Sequence, residues 1–152
     1  MKLILTFILT VYWLNNFAQT YIGGVLSNNT TLTLENSPYI VTNNLLVQQG
    51  IKVTIEPGVE FRFNDAIYFQ VDGTISAIGT PRNPIKFTKN TTANDWGGID
   101  FTDLSEDYDS TSGSGSIMSY CIIENTGFYG YRWYSLHTIM CSPLVSNCEF
   151  RS

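Results

Sequence analysis

Two groups of side chains in the C-terminal half have types and spacing that suit chemistry. The first is Asp103, Glu106, Asp107 and Asp109, four carboxylates in the Ser- and Gly-rich stretch TDLSEDYDSTSGSGS (102–116). Calcium takes six to eight oxygen ligands, and clustered carboxylates with serine and backbone oxygens supply them. The stretch is therefore the candidate Ca2+ site, although its spacing matches no EF-hand loop. The competing reading is a solvated, flexible acidic loop. The second group is Tyr129, Tyr131, Arg132, Trp133 and Tyr134, with Phe128 just ahead, in NTGFYGYRWYSL (125–136). Flat rings with a polar handle suit sugar faces, and a guanidinium suits the carboxylate of a uronic acid. These five residues are the candidate substrate-binding group. The competing reading packs the rings back on the protein.

Other chemistry is not indicated. A glycosidase needs a carboxylate pair at a set separation, and none is visible. Asp103, Asp107 and Arg132 could be cast as a calcium-dependent lyase site, but no catalytic motif is matched residue by residue, so no catalytic residue is assigned. The single histidine, His137, is placed at a strand entrance with a structural or surface role. No Cys/His spacing of a zinc site is present.

The elements that must position these loops come from a repeat. Apolar pairs separated by one residue recur as Leu32-x-Leu34, Val53-x-Ile55, Ile75-x-Ala77, Ile99-x-Phe101, Cys121-x-Ile123 and Cys148-x-Phe150. Their spacings are 21, 22, 24, 22 and 27 residues. A second column holds Ile40, Phe61 and Ile85, and a third holds Leu45-x-Val47 and Ile67-x-Phe69. Turn residues break the runs at Asn43-Asn44, Gln49-Gly50, Pro57-Gly58, Asp72-Gly73, Gly79-Thr80-Pro81 and Asn83-Pro84.

Three short runs of period two per repeat predict one coil of a solenoid. Alternate side chains point inward, and like residues stack in ladders about 4.8 Å apart. The expected fold is all-β: a right-handed, single-stranded parallel β-helix of about five coils over residues 20–152, with an N-terminal cap at 20–31. Both long loops follow a first-column strand, so they are expected to be neighbours forming one composite surface. Cys121 and Cys148 share a column and are expected to stack as thiols, because in-register Cβ atoms sit wider apart than a disulfide prefers. Trp96-Gly97-Gly98 is expected to make a tight bend, with the ring covering the turn.

The stretch 31–63 (TLTLENSPYIVTNNLLVQQGIKVTIEPGVEFRF) resembles the opening coils of exported β-helix proteins. Ser37-Pro38-Tyr39, Glu56-Pro57-Gly58, Val71-Asp72-Gly73-Thr74-Ile75, Asn83-Pro84-Ile85 and Trp96-Gly97-Gly98-Ile99 carry the likeness. It extends over roughly residues 30–150, and the family is the pectin-lyase-like superfamily, in particular Bacteroidetes-type surface proteins. The resemblance implies the fold. It implies no single function, because such proteins include lyases, glycosidases and adhesins. Its members usually carry more coils, so the chain is expected to be truncated, the N-terminal portion of a longer protein.

The address follows from the first residues. Met1-Lys2, the apolar run LILTFILTVYWL and a polar tail with Ala18 read as a secretory signal peptide over residues 1–19. The apolar run is too short to span a bilayer, so no membrane span is expected after signal removal. Charged residues make up only 14% of the chain and the net charge is −5, which leaves no basic patch for nucleic acid. The reading is a secreted or cell-surface module for structural display or adhesion. Its expected partner is an extracellular polysaccharide or cell-surface glycan. The alternative is the N-terminal part of a polysaccharide lyase or glycoside hydrolase.

Overall fold

The computed structural model describes residues 19–127 and 134–152. The expected signal peptide at 1–19 therefore lies outside the described residues except for Gln19. In chain order the strands are β1 (Thr20–Leu26), β2 (Thr30–Leu32), β3 (Tyr39–Val47), β4 (Lys52–Ile55), β5 (Glu60–Phe63), β6 (Phe69–Val71) and β7 (Thr74–Ile78). They continue as β8 (Ile85–Lys89), β9 (Ile99–Phe101), β10 (Ile117–Ser119), β11 (Cys121–Glu124), β12 (Leu136–Thr138), β13 (Leu144–Ser146) and β14 (Glu149–Arg151). One 3-10 turn, Leu34–Asn36, joins β2 to β3.

The strands stack in three parallel ladders. The first runs β2, β4, β7, β10, β13. The second runs from the 39–41 half of β3 through β5, β8 and β11 to β14, and the third from the 45–47 half of β3 through β6 and β9 to β12. The chain visits second, third and first ladder in turn, then repeats. A strand thus pairs with the strand one circuit away, and no circuit can bury its inner face alone. The segment expected as a cap, 20–31, holds β1 and most of β2. β1 runs parallel to both halves of β3, with a register shift between Ile22 and Gly24.

Three ladders per repeat agree with the expected columns, but the registers differ. Leu32 pairs with Ile55, and Leu34 is half-exposed in the 3-10 turn. Leu45 and Val47 pair with Phe69 and Val71, and Tyr39 rather than Ile40 lies opposite Phe61. Ile99-x-Phe101 belongs to the third ladder and Cys121-x-Ile123 to the second. The apolar pairs of all three ladders look alike, so period alone does not say which ladder a pair joins. The connection lengths decide it. The long connection 102–116 falls inside a circuit, whereas Tyr120 alone separates β10 from β11.

The inward positions form one core. Val41, Leu45, Val47, Val53, Phe61 and Phe63 are fully buried, as are Phe69, Val71, Phe87, Phe101 and Met118. In the second ladder Tyr39 stacks on Phe61 (centroids 5.5 Å apart) and Phe61 on Phe87 (5.1 Å, 3° between planes). Each large buried side chain contributes about 1.5–3 kcal/mol relative to exposure. Trp96 does not merely cover a turn: it is fully buried, stacks on Phe63 at 4.1 Å and donates its indole N–H to the Glu124 carbonyl at 2.8 Å.

Candidate functional site

The outward positions of the third ladder place several polar side chains in one row. β6 pairs Gln70 with Asp100 of β9, and β9 pairs Asp100 with His137 of β12. His137 is therefore the centre of a strand, not its entrance. Its Nδ1 lies 3.2 Å from Asp100 Oδ1, so a tautomer or imidazolium bearing Nδ1–H donates to the carboxylate. Tyr134 stacks on the His137 ring at 4.3 Å. Asp100 points away from the core, yet only 4% of its surface is exposed.

Just past the ends of β6 and β9 lie Asp72 and Thr102. Asp72 Oδ1 accepts from the Gln70 amide and the Thr102 hydroxyl, each at 2.8 Å. The face thus carries a carboxylate, an amide and an imidazole on strands, at the spacing of the rungs, with a second carboxylate, a hydroxyl and an aromatic ring just beyond the strand ends. Strand-borne groups are held in place more firmly than groups on loops, which suits recognition of a repeating ligand.

A close approach of the chain builds the edge of this face. Gly98 has φ of +81°, and a Cβ there would strike the Tyr134 and Ser135 carbonyls of the next circuit. Ile99 N–H donates to the Ser135 carbonyl at 3.0 Å. Glycine at 98 lets the backbone turn left-handed and lets the Tyr134 segment lie against it.

The residues expected from sequence fall elsewhere or only partly here. Tyr129, Tyr131, Arg132 and Trp133 lie outside the described residues, and Tyr134 joins the face. Asp103, Glu106, Asp107 and Asp109 are exposed. Asp107 Oδ1 accepts from the Ser142 N–H at 2.6 Å. Asp109 accepts from the Thr111 N–H at 2.8 Å and the Ser112 hydroxyl at 2.7 Å, and these bonds hold its carboxyl below the usual carboxylate range. Among the described residues, no three His, Cys, Asp or Glu converge so as to hold a metal ion.

The ground for expecting one composite surface does not hold: Ile99 and Cys121 belong to different ladders, so Thr102 follows a third-ladder strand, β9, whereas Asn125 follows a second-ladder strand, β11. Gln70, Asp72, Asp100 and Thr102 were not foreseen. The signal lay in the middle residues of the pairs: with Phe69-x-Val71 and Ile99-x-Phe101 in one column, Gln70 and Asp100 fall in line.

Comparison with known proteins fits this architecture. Residues 24–120 match the pectate-lyase-like beta helix domain family, and the chain belongs to that family. Part of the chain is also similar to the protein bark beetle of Drosophila melanogaster, with 33% identity over 73 residues. That similarity covers 47% of this chain and 2% of the fly protein, so the chain spans a small part of the relative's length. No solved structure matches.

Proposed function

We propose that this chain is an exported module, a right-handed β-helix of about five coils, serving structural display or adhesion at the cell surface. In this reading it contacts extracellular polysaccharide or cell-surface glycan through the outer face of its third ladder. The row Gln70, Asp100, His137, bordered by Asp72, Thr102 and the Tyr134 ring, carries the proposal. The half-exposed members, Gln70, His137 and Tyr134, offer hydrogen bonds and a stacking platform to a sugar chain lying across the strands, while the buried Asp100 carboxylate holds the His137 ring in place. Tyr129, Tyr131, Arg132 and Trp133 belong to the connection that enters this ladder, which brings them into the same proposal. The signal-like residues 1–19 support export. The likeness of Ser37-Pro38-Tyr39 and Glu56-Pro57-Gly58 to Bacteroidetes-type surface proteins supports surface display. Calcium bound by Asp103, Glu106, Asp107 and Asp109 is a secondary part of the proposal.

A glycan array tests it, probed with the folded chain in calcium and in chelator. Binding that disappears in Gln70→Ala and in Tyr134→Ala, with circular dichroism unchanged, is the expected result. Loss of signal in chelator alone would bring in the acidic connection. Silence from a folded sample would sink the glycan reading and leave display.

The Asp100–His137 pair favours a second reading, the N-terminal part of a polysaccharide lyase or glycoside hydrolase. Incubation with a uronate polysaccharide distinguishes the two. Unsaturated ends, seen by ultraviolet absorbance, identify a lyase, and new reducing ends without them identify a hydrolase. Neither product appears from a display module.

A further inference from the structure

Each of the three cysteines follows a residue with left-handed backbone: Tyr120 (φ 50°) before Cys121, Met140 (φ 50°) before Cys141 and Asn147 (φ 52°) before Cys148. Non-glycine residues adopt this conformation at a cost of about 1–2 kcal/mol. At Tyr120 and Asn147 it makes the sharp corner between the first and second ladders.

The corner places two thiols alike. Cys121 Sγ lies 3.5 Å from the carbonyls of Ser119 and Ala77. Cys148 Sγ lies 3.3 Å from the Ser146 carbonyl and 3.5 Å from that of Met118. Ser119 and Ser146 are register partners, and so are Ala77 and Met118. The two sulfurs therefore occupy the same place in successive circuits. The pairing of Ile122 with Glu149, carried back one residue, sets Cys121 against Cys148.

We propose that Cys121 and Cys148 are a redox pair: a low-molecular-weight disulfide converts them into an inter-coil disulfide that fastens the β13–β14 rung to the circuit beneath it. Neighbouring parallel strands hold Cα atoms at about 4.8 Å, within the range a disulfide accepts. The Cβ atoms must approach by a few tenths of an ångström. Cys148 can supply that movement, because it is only partly buried and leads into β14, whose residues are all exposed. Cys121 is almost fully buried and is held between β8 and β14.

The thiols are also unequal in reactivity. The neighbouring Cys121 thiol favours the Cys148 thiolate and brings the Cys148 thiol down to about 6 against the opposing effect of its burial. The same contact and burial push Cys121 up. At neutral pH Cys148 is the nucleophile. Its thiolate attacks one sulfur of the oxidant RSSR, forms a mixed disulfide and expels RS−. The released RS− takes the Cys121 proton and becomes RSH. Cys121 thiolate then attacks the Cys148 sulfur and expels the second RS−. Two protein thiols are oxidised to one disulfide, and RSSR is reduced to two thiol equivalents. Cys141 stands apart: its Sγ faces the Phe101 carbonyl at 3.5 Å, beyond the third ladder, and burial pushes its thiol up.

Peptide mapping by mass spectrometry tests the proposal on the whole chain after exposure to glutathione disulfide and alkylation of the remaining thiols. The expected product is a single species, lighter by two hydrogens before alkylation, with Cys121 linked to Cys148 and Cys141 alkylated. C141S should form the same link, and C148S should form none. A lasting glutathione adduct on Cys148, a link through Cys141, or three alkylated cysteines in the wild type would each overturn it. Limited proteolysis reads the fastening. Cleavage after Arg151 or within 142–148 should slow on oxidation of the wild type and not of C148S, and equal rates would refute that part.

Discussion

Phe87 and Phe150 are the same kind of residue at the same kind of place, and they fare differently. Phe87 pairs with Ile123, which pairs with Phe150, so both rings lie on one inward ladder two circuits apart. Phe87 is fully buried between Phe61 and Ile123, whereas Phe150 is 49% exposed. The same holds across the rung: β14 is exposed throughout, whereas the inward residues of β5, β6 and β8 are fully covered. A period-two pattern thus states which way a side chain points. The neighbouring circuits determine whether it is buried. In a solenoid, core stability belongs to interfaces between rungs rather than to rungs.

The largest test of that contrast is a pair of truncations. Phe87→Ala removes a ring stacked face to face and leaves a cavity that the ladder cannot close, costing about 3–5 kcal/mol. Phe150→Ala should cost under about 1 kcal/mol, because half the ring already meets water. Urea unfolding midpoints of the two variants measure the difference. Equal losses would mean that the end rung is as tightly coupled as the body.

A pair of glycines gives the next largest effect. Gly50 (φ +76°) turns in open space, with no atom beyond its two chain neighbours within 4 Å of where a Cβ would sit. Gly50→Ala should therefore cost only the left-handed penalty of about 1–2 kcal/mol. Gly98→Ala carries that penalty and drives a methyl into the Tyr134 and Ser135 carbonyls of the next circuit, adding about 1–3 kcal/mol of overpacking. Thermal denaturation of both variants checks the order. Gly98→Ala should also weaken any glycan signal more than Gly50→Ala does, because it shifts the Tyr134 segment.

The same contrast explains what could be read from the sequence. Inward and outward facing was legible for most pairs, since Val53, Ile55, Ile75, Ala77, Phe101 and Ile123 all point into the core as their spacing says, although Leu34 and Ile40 do not. The turns were legible too, with Gly50, Gly58 and Gly98 in left-handed conformations. Ladder membership was not. Ile99-x-Phe101 and Cys121-x-Ile123 read as one column because a connection of unknown path, 102–116, stood between them. That misplacement hid the row of Gln70, Asp100 and His137, because a row across strands exists only once the register is right. Cys121 and Cys148 were aligned correctly, since their spacing of 27 residues encloses one whole circuit whatever its internal path.

Glu124 joins the body to the end rung and gives the smallest effect. Its carboxylate accepts from Lys86 Nζ at 2.7 Å and the Thr88 hydroxyl at 3.1 Å, and Arg151 of β14 lies 3.7 Å away. Burial alone would raise its pKa, but the bonds from Lys86 and Thr88 and the charges of Lys86 and Arg151 outweigh it. The group stays below its usual value of 4.5. A carboxyl depressed in the folded state contributes stability above its unfolded value, and that contribution disappears as pH falls through the lower folded value. Glu124→Gln should therefore lower stability at neutral pH by under about 1 kcal/mol, since Lys86 is 37% exposed and partly screened. The gap between variant and wild type should close as pH falls below 4.5. Arg151→Ala should reproduce only a small part of the effect, because Arg151 also bonds Glu149 within its own rung at 2.6 Å. Unfolding curves across that pH range measure both variants. If Arg151→Ala matched Glu124→Gln, the end rung would be held by charge where apolar packing fails to hold it.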